Sequence, residues 1–319
     1  MIFSYSLPFH FQLLLALVLD SLIGDPQWMP HPVRLVGFFA QRFEKISRMI
    51  FRNLHVAGFF AWITVVLLTA SISILFLKIC VLIHPVLGDI FSVVLLYYTV
   101  AVRDLVKHGT NVFKALDKGN LKEARQRLSL IVSRDTAGLD EQGIVRSAVE
   151  SITENTVDGI TSPLFFAALG GPVGAVLYRA VNTMDAMFGY KNERYREFGF
   201  ISARADDILN FIPARITGVF MCFSAFIIGE NFKNAFRILR RDHARHASPN
   251  GGYPESAAAG ALGIRIGGPN RYFGTVIEKP FIGDEIESIQ KLHIKRALKL
   301  CIATTLLFAG CTILFRTVV

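Results

Sequence analysis

Two polar stretches decide the fold of this chain: ESITENTVDG at residues 150–159 and YRAVNTMDAMFGYKNERYREFGFISARADDILN at residues 178–210. A glycine-broken apolar segment joins them. Carboxylates, amides and arginines recur in both stretches at helical spacing, beside segments apolar enough to enter a membrane. Because ionisable groups at a bilayer edge are costly, this combination predicts a functional site on a helical membrane protein.

The composition supports the same fold class. Of the 319 residues, 52% are hydrophobic and only 18% are charged, below the roughly 25% typical of soluble domains. We therefore expect an all-α, polytopic membrane protein with about four to six membrane segments. Residues 1–319 are expected to form one integral-membrane catalytic domain with helical polar loops. A soluble enzyme is excluded.

Six apolar segments are candidate membrane helices. A full span needs about 20 apolar residues. Gly171, Pro172 and Pro213 interrupt two of the segments, which favours re-entrant helices that line a cavity; two full crossings remain the alternative. The segments are roughly residues 9–24, 56–83, 87–102, 160–180, 211–229 and 298–315. The first is expected to be a retained anchor, not a cleaved signal peptide.

The polar loops predict the orientation in the membrane. They cover residues 25–55, 103–158, 181–210 and 230–297, and Lys and Arg concentrate in the first, second and fourth. The positive-inside bias places those three loops in the cytoplasm. It also explains the net charge of +9, so no nucleic-acid partner is expected. Within the second loop we expect two helices, with Asn120 capping the second.

The first polar stretch predicts a cluster of carboxylates. Glu150, Glu154 and Asp158 are spaced i, i+4 and i+8, with Asn155 adjacent, so a regular helix would place the three acids on one face. Mg²⁺ would offset their repulsion, because it prefers oxygen ligands and often keeps substrate phosphate in its shell. The alternative is a solvated acidic face at a helix end.

The second stretch repeats this chemistry twice. Asn182 and Asp185 follow Arg179 at helical spacing, and the pattern DDxxN supplies three further oxygen donors. Oxygens can hold a cation while guanidinium groups bind phosphate in a bidentate manner. The alternative is a set of buried Asp–Arg pairs that fix helix packing. The remaining members of the set are Arg194, Arg204, Asp206, Asp207, Asn210 and Arg215.

The segment GDPQWMPHPVR, residues 24–34, lies directly after the first apolar segment. Its three prolines should make it extended and rigid, and so hold Asp25, His31 and Arg34 in a fixed relation.

Two other segments present anion-binding candidates. Arg134 and Asp135 precede a predicted helix whose start could bind an anion, although capping by Asp135 or Asp140 is equally compatible. SPNGGYPE, residues 248–255, is expected to leave backbone N–H groups free around Ser248 and Asn250, with Glu255 in the next helical turn.

Four ordered motifs together resemble the adenosylcobinamide-phosphate synthase family of cobalamin biosynthesis, the CobD/CbiB type. They are LVLDSLIGDPQWMPHPVR, RDTAGLDEQGIVRSAVESITENTVDGITSPLFFAALGG, YRAVNTMDAMFGYKNERYREFGFISARADDILNFIPAR and SPNGGYPESAAAGALG. The resemblance implies a multi-pass enzyme of the bacterial inner membrane, with a cytoplasm-facing site. It implies ATP-dependent amide ligation of aminopropanol, commonly as its phosphate, to the free propionate of adenosylcobyric acid. Membrane lipid and other membrane enzymes of the pathway are the expected partners.

This chemistry suggests roles for the candidate residues. Mg²⁺ is expected at Asp185, Asp206, Asp207 and Glu154. The expected catalytic residues are Glu150, His31 and Arg179, with Glu150 or His31 taking the amine proton. The remaining candidates for substrate and phosphate binding are Asp25, Arg34, Arg134, Asp135, Asn155, Asp158, Asn182, Arg194, Arg204, Asn210, Arg215, Ser248, Asn250 and Glu255.

Two other functions compete with this interpretation. A magnesium-dependent membrane prenyl transferase would use similar Asp/Asn turns to bind a diphosphate. A non-enzymatic membrane signalling or accessory protein could share the fold, but it would not need the acidic turns that this chain retains.

Overall fold

The computed structural model describes residues 5–26, 28, 31–190, 192–272 and 274–318, and these residues are mainly helical. The helices are α1 (Phe9–Ile23), α2 (Pro32–Ile50), α3 (Leu54–Ile83), α4 (Pro85–Tyr97), α5 (Val102–Asp117), α6 (Leu121–Leu128), α7 (Glu141–Thr156), α8 (Ser162–Phe188), α9 (Phe200–Ile227), α10 (Phe232–Asp242), α11 (Gly252–Leu262) and α12 (Leu292–Val318). A π-helical turn, Val157–Thr161, connects α7 to α8.

The predicted all-α membrane fold is confirmed, because each of the six apolar segments is helical. Five helical stretches are long and apolar enough to cross a membrane. Helix α1 is apolar but shorter. The five are Leu54–Ile83, Pro85–Asp117, Glu141–Phe188, Phe200–Ile227 and Leu292–Val318.

The expected helix breaks occur in only one of the two segments. Gly171 adopts a left-handed conformation, with φ of 62°, and kinks α8 just before Pro172. By contrast, α9 continues through Pro213 as a single helix of 28 residues. The irregularity expected at Pro213 is therefore wrong, because an apolar helix can absorb the one hydrogen bond that a proline removes.

The chain divides into two compact units. The first unit comprises Met1–Ala101, Ser162–Asn210 and Cys311–Val319. One core of this unit is formed by buried side chains of α2, α3 and α8, together with Phe198. The second unit comprises Val102–Thr161 and Phe211–Gly310.

The core of the second unit joins the C-terminal half of α9 to α10 and α11. Small side chains allow close packing there, and Asn234 Nδ2 donates to the Gly260 carbonyl at 2.6 Å. The predicted helix pair in residues 104–130 is confirmed as α5 and α6. The Asn120 side chain caps α6 by accepting a hydrogen bond from the Glu123 N–H at 3.0 Å.

The second unit also contains two small antiparallel sheets that the sequence does not predict. Strand β1 (Ile266–Gly267) pairs with β4 (Phe281–Ile282), and β2 (Asn270–Tyr272) pairs with β3 (Thr275–Ile277). Strands of two or three residues are too short to give a periodic sequence pattern. They matter because they carry residues that line the candidate site.

Candidate functional site

The second unit contains a cavity of about 170 Å³ lined by side chains of both charges. The cavity is bounded by α7, the turn before α7, the loop before α11 and the small sheets. Three carboxylates and four basic side chains share this small volume, so it suits a ligand that carries both charges. The ionisable lining residues are Arg134, Glu150, Glu154, Arg245, His246, Glu255, Tyr272 and Lys279.

Arg134 and Glu150 form a buried ion pair in the cavity wall. Arg134 Nη1 lies 2.6 Å from Glu150 Oε2, and Glu150 Oε1 accepts a hydrogen bond from the Gly267 N–H at 2.6 Å. Burial acts to lower the pKa of Arg134, but the charge of Glu150 leads the effects that raise it overall. Because both oxygens of Glu150 already accept hydrogen bonds, this geometry supports a positioning role for Glu150. It does not support the expected role as proton acceptor.

His246 and Glu255 form a second pair. His246 Nε2 lies 3.6 Å from Glu255 Oε1, and the Ser248 N–H donates to His246 Nδ1 at 3.0 Å. His246 Nδ1 also lies 3.3 Å from the Ser248 carbonyl oxygen, and Nε2 faces the carboxyl group of Glu255. Glu255 is a candidate acceptor of a substrate proton, with His246 beside it.

The surroundings shift the pKa values of both members of this pair. Burial, followed by the charges of Glu150 and Glu154, raises the pKa of Glu255 well above its ordinary 4.5. Burial lowers the pKa of His246 from its ordinary 6.5, and the carboxylate of Glu154 opposes that change. A carboxyl group whose pKa is raised in this way is a better general base near neutral pH than an ordinary glutamate.

Lys279 and Glu154 complete the cavity. Lys279 Nζ donates to the Tyr272 hydroxyl at 2.8 Å and lies 5.1 Å from the centre of that ring. Glu154 is exposed, and its carboxylate makes no hydrogen bond or ion pair with the residues that the structure describes. Arg245 is also exposed and lies 3.3 Å from the buried Asp242. The cavity thus presents both a cationic and an anionic side chain to solvent.

The π-helical turn changes the predicted carboxylate face. Glu150 and Glu154 share the cavity, as their spacing predicts. Asp158 lies within the wider π-helical turn and outside the cavity lining, so the expectation of three stacked carboxylates is wrong at this residue. Asn155 instead donates to the Ser151 carbonyl at 2.8 Å. π-Helical turns are frequent at functional sites.

The loop before α11 does not offer the free amides that the sequence suggests. The Ser248 hydroxyl accepts hydrogen bonds from the N–H groups of Asn250 and Gly251, both at 3.2 Å. The expectation of a free N–H cradle is therefore wrong. Arg215 donates to Asn250 Oδ1 at 3.4 Å and stacks 4.4 Å from the centre of the Tyr253 ring. Arg215 thus holds this loop, and its contact with phosphate stays a prediction.

The start of α7 is occupied by a protein cap. Asp140 Oδ1 accepts a hydrogen bond from the Gly143 N–H at 2.8 Å, which confirms the capping alternative. Asp135 Oδ2 accepts from the Gly274 N–H at 2.8 Å. Asp135 therefore ties the turn that carries Arg134 to the hairpin of β2 and β3, and an anion site at the start of α7 is not supported.

Asp206 is the centre of a buried network in the first unit. Its two oxygens accept hydrogen bonds from Asn182 Nδ2 at 3.2 Å and from Asn210 Nδ2 at 2.9 Å. Asn210 Oδ1 accepts from Ser162 Oγ at 2.6 Å and from Tyr178 Oη at 2.9 Å. The network joins α8 to α9, so the structure brings Asn182, Asp206 and Asn210 together as predicted.

Arg179 and Arg204 flank this network. Arg179 Nη1 lies 3.4 Å from Asn182 Oδ1, and Arg204 Nη1 lies 3.7 Å from Asp207 Oδ2. Their contact with phosphate stays a prediction. Arg194 belongs to a different cluster, 3.2 Å from the buried carboxylate of Glu44, which does not support a role in phosphate binding.

The predicted metal residues are distributed over both units. Glu154 belongs to the second unit, and Asp185, Asp206 and Asp207 belong to the first. Among the described residues, no group of three or more His, Cys, Asp or Glu side chains is arranged to hold a metal ion. Magnesium that arrives with a phosphate ligand needs only about one or two protein carboxylates, so magnesium binding stays a prediction.

The segment after α1 places His31 at the start of α2. His31 Nδ1 accepts a hydrogen bond from the Val33 N–H at 3.1 Å, and Nε2 lies 3.5 Å from Asp25 Oδ1. Arg34 is exposed in the first turn of α2. Pro30, which was expected to stiffen this segment, lies outside the described residues. His31 therefore caps a helix, and its transfer of a proton stays a prediction.

Sequence reasoning missed four side chains of the cavity: His246, Lys279, Tyr272 and Arg245. His246 lies two residues before the start of the SPNGG segment, and this position near a glycine-rich loop was the one available signal. Lys279 and Tyr272 lie in a segment without periodicity, and only the short strands bring them to α7.

Comparison with known proteins identifies the family. The family model described as CobD/Cbib protein matches residues 13–301. The "Cobalamin biosynthesis protein CobD" of Clostridium perfringens is 48% identical over 88% of this chain and 89% of its own length. The proteins of the same name from Leptospira interrogans and Geobacter metallireducens are 43% and 46% identical, over 92% and 86% of this chain and 93% and 87% of their own lengths. No solved structure matches the chain significantly. This chain belongs to the CobD/Cbib family.

Proposed function

We propose that this protein is a cobalamin-biosynthetic enzyme of the bacterial inner membrane. It joins the amine of aminopropanol, or of its phosphate, to the free propionate of adenosylcobyric acid in an ATP-dependent reaction. The family match over residues 13–301 and the names of the relatives support the pathway. The five helices of membrane-spanning length support the location.

The His246–Glu255 pair is the observation that best supports the proposed amide-forming step. An ammonium group must lose a proton before its nitrogen can attack a carbonyl carbon. Glu255 is buried, its pKa is raised, and it lies in a cavity with exposed charged groups. A positioned general base of this kind contributes about 10²- to 10⁴-fold to a rate.

The proposed reaction has two steps. An oxygen of the propionate attacks the γ-phosphorus of ATP, which gives an acyl phosphate and releases ADP. The amine nitrogen attacks the acyl carbon, the C–O bond to phosphate breaks, and inorganic phosphate leaves. Glu255 accepts the proton that the ammonium group loses before the attack, and the second proton that the nitrogen loses leaves with inorganic phosphate. The chain contributes mainly positioning and charge neutralisation to such a reaction.

In the first unit, Asp185 and Asp207 are the residues that would hold magnesium together with ATP. Both oxygens of Asp206 already accept amide hydrogen bonds, which makes Asp206 the poorer ligand. Asp207 is about one-third exposed, and its Oδ2 lies 3.7 Å from Arg204 Nη1. When bound there, magnesium would neutralise phosphate charge, and Arg179 and Arg204 would contact phosphate oxygens.

The test is a ligation assay with purified full-length protein in detergent. Adenosylcobyric acid, aminopropanol phosphate and Mg-ATP are supplied, and the corrinoid product is identified by mass. We expect one amide to replace the free carboxyl group, with one ADP formed per product. No ATP-dependent product at saturating substrate would overturn the proposal. Asp207→Asn should abolish turnover while Lys233→Met, an exposed charge change on α10, should not.

The two competing functions gain no support. The relatives are named for cobalamin biosynthesis, not for prenyl transfer or signalling. The DDxxN motif also uses Asp206 and Asn210 to bind each other at 2.9 Å, which leaves fewer oxygens for a diphosphate-bound metal.

A further inference from the structure

Helix α8 turns back on itself at Gly171, the left-handed residue that interrupts it. Its two parts are a first limb, residues 162–170, and a second limb, residues 172–188. The rings of Phe166 and Tyr178, one from each limb, stack with their centroids 5.2 Å apart. A straight helix would separate these two residues by about 18 Å, because each residue advances the helix by about 1.5 Å. The two limbs therefore lie side by side.

Backbone and side-chain contacts close this hairpin. A Cβ added at Gly174 would lie 2.5 Å from the Phe166 carbonyl oxygen, so the limbs touch at a glycine. Asn210 Oδ1 accepts one hydrogen bond from Ser162 Oγ at 2.6 Å and another from Tyr178 Oη at 2.9 Å. One amide of α9 thus binds both limbs, at two positions that a straight helix would hold about 24 Å apart.

The tip of the hairpin lies at the edge of the first unit where α1 begins. A Cβ added at Gly171 would lie 3.9 Å from the Phe9 ring, and the guanidinium carbon of Arg316 is 4.5 Å from the centre of that ring. The N–H group of Leu7, just before α1, donates to Asp89 Oδ2 at 3.1 Å. The first turns of α4 therefore lie at this same edge, which we call the tip edge.

The second limb ends at the opposite edge, beside the turn between α2 and α3. The loop that follows it, residues 189–199, is held there by ion pairing and stacking. Arg194 Nη2 lies 3.2 Å from Glu44 Oε1, and Arg48 Nη2 donates to the Arg194 carbonyl oxygen at 2.9 Å. The Arg48 guanidinium also lies 4.3 Å from the centre of the Phe198 ring. The 30 residues of α3 separate this loop edge from the tip edge by about 45 Å.

The charges assign the two edges to opposite sides of the membrane. Residues 40–53, at the loop edge, contain four Lys or Arg, whereas residues 79–101, which include the turn between α3 and α4, contain none. The positive-inside bias therefore places the loop edge in the cytoplasm and the tip edge outside. Arg316, a single basic residue at the tip edge, does not reverse this difference.

We propose that α8 is a helical hairpin whose tip faces the outer side of the membrane and whose second limb returns the chain to the cytoplasm. Residues 189–199 then face the cytoplasm, whereas a single outward crossing by α8 would place them outside. Asp185, in the last turn of α8, and Asp207, in the second turn of α9, lie near this loop in the sequence. The hairpin therefore opens the proposed magnesium residues to the side that holds ATP. This consequence rests on the proposed function, whereas the hairpin itself does not.

Cysteine labelling in right-side-out membrane vesicles tests the direction of the second limb. The full-length chain, with its four native cysteines replaced by alanine, receives one new cysteine at an exposed position and is treated with a membrane-impermeant maleimide. Arg52→Cys reports the cytoplasmic side, and His84→Cys reports the outside. We expect Glu193→Cys and Glu197→Cys to be labelled only after permeabilisation, as Arg52→Cys is. Labelling of both in sealed vesicles, to the extent of His84→Cys, would overturn the proposal.

Two glycine variants test the contact between the limbs. Gly174→Ala places a methyl group against the Phe166 carbonyl oxygen, a backbone atom that cannot turn aside, so the midpoint of thermal unfolding in detergent should fall by about 2–10 °C. The matched control is Gly170→Ala, where a Cβ meets no atom within 4 Å among the described residues. Alanine favours a helix, so this control should leave the midpoint unchanged or raise it. Equal midpoints in the two variants would overturn the hairpin, because a continuous helix accepts alanine at both positions.

The outcomes separate this inference from the proposed function, because neither labelling nor unfolding requires turnover. The expected labelling pattern in a chain that forms no amide keeps the hairpin and overturns the proposed reaction. Labelling of Glu193→Cys from the outside, in a chain that still forms the amide, keeps the reaction and overturns the hairpin.

Discussion

Arg134 Nη1 lies 2.6 Å from Glu150 Oε2, and both side chains are at most one-tenth exposed. The pair joins the turn before α7 to α7 itself, and Glu150 also accepts a hydrogen bond from β1. A buried ion pair of this kind holds the connected segments in place. Removing either partner leaves the other as an uncompensated buried charge, which is strongly destabilising.

Arg134→Met should lower the free energy of unfolding by about 3–5 kcal/mol, the usual cost of breaking a buried pair. The measurement is thermal or denaturant unfolding in detergent. The double variant Arg134→Met/Glu150→Leu should recover part of the loss, since it leaves no buried charge unpaired. A double variant as unstable as the sum of both single variants would show that the pair is not coupled.

Glu154→Gln should move the acidic limb of the pH–rate profile to lower pH. The charge of Glu154 raises the pKa of both Glu255 and His246, so its removal lowers both. The direction is therefore the same whichever member of the pair accepts the proton. The positive charges of Arg134 and Lys279 lower the pKa of Glu255, and both residues are still present in this variant.

The profile of ligation against pH at saturating substrate tests this shift. The matched control is Glu197→Gln, an exposed glutamate in the first unit. An acidic limb that does not move in Glu154→Gln, or that moves to higher pH, would contradict the assignment of the pair as the proton acceptor.

Glu255→Gln should change how stability depends on pH. The pKa of Glu255 is raised in the folded chain, so its contribution to stability is fully present below its ordinary 4.5. That contribution is lost as pH rises through the raised value. Gln mimics the protonated form and loses nothing, so the unfolding midpoint of Glu255→Gln should rise relative to the parent chain as pH increases. A constant difference across this range would contradict the raised pKa.

Gly260→Ala should destabilise the second unit by about 1–3 kcal/mol, the usual cost of overpacking. A Cβ at this position would lie 2.6 Å from the Asn234 carbonyl oxygen and 2.8 Å from Ala235 Cα. Both are backbone atoms of α10, which cannot move aside as a side chain would.

The control is Gly310→Ala in α12, where a Cβ meets no atom within 4 Å among the described residues. It should be neutral or stabilising, because alanine favours a helix; equal losses in the two variants would contradict this packing.

The sequence predicts the helices of this fold better than the contacts of its site. Local sequence patterns are sufficient to predict local features. The apolar segments of near-membrane length and the helix caps at Asn120 and Asp140 are features of this kind. The spacing of Glu150 and Glu154 likewise predicts their shared face. Asp158 departs from that face because a π-helical turn intervenes, and no residue pattern announces such a turn.

The partner of a polar side chain does not follow from its residue type. Ser248 uses its hydroxyl to satisfy the amides expected to be free, and Asp206 accepts hydrogen bonds from Asn182 of α8 and from Asn210 one turn along α9. Tyr272 and Lys279 reach the cavity from a segment whose strands are too short to predict. Residue types alone therefore indicate which kinds of ligand the site could bind. The structure shows which polar groups already have hydrogen-bond or ion-pair partners within the protein.

The most direct test of this account is the rate of ATP-dependent ligation by Glu255→Gln beside the parent chain, at saturating adenosylcobyric acid, aminopropanol phosphate and Mg-ATP. The parent chain should form the amide, and the variant, still folded, should be slower by about 10²- to 10⁴-fold. Equal rates in the two proteins, or no amide from the parent chain, would contradict it.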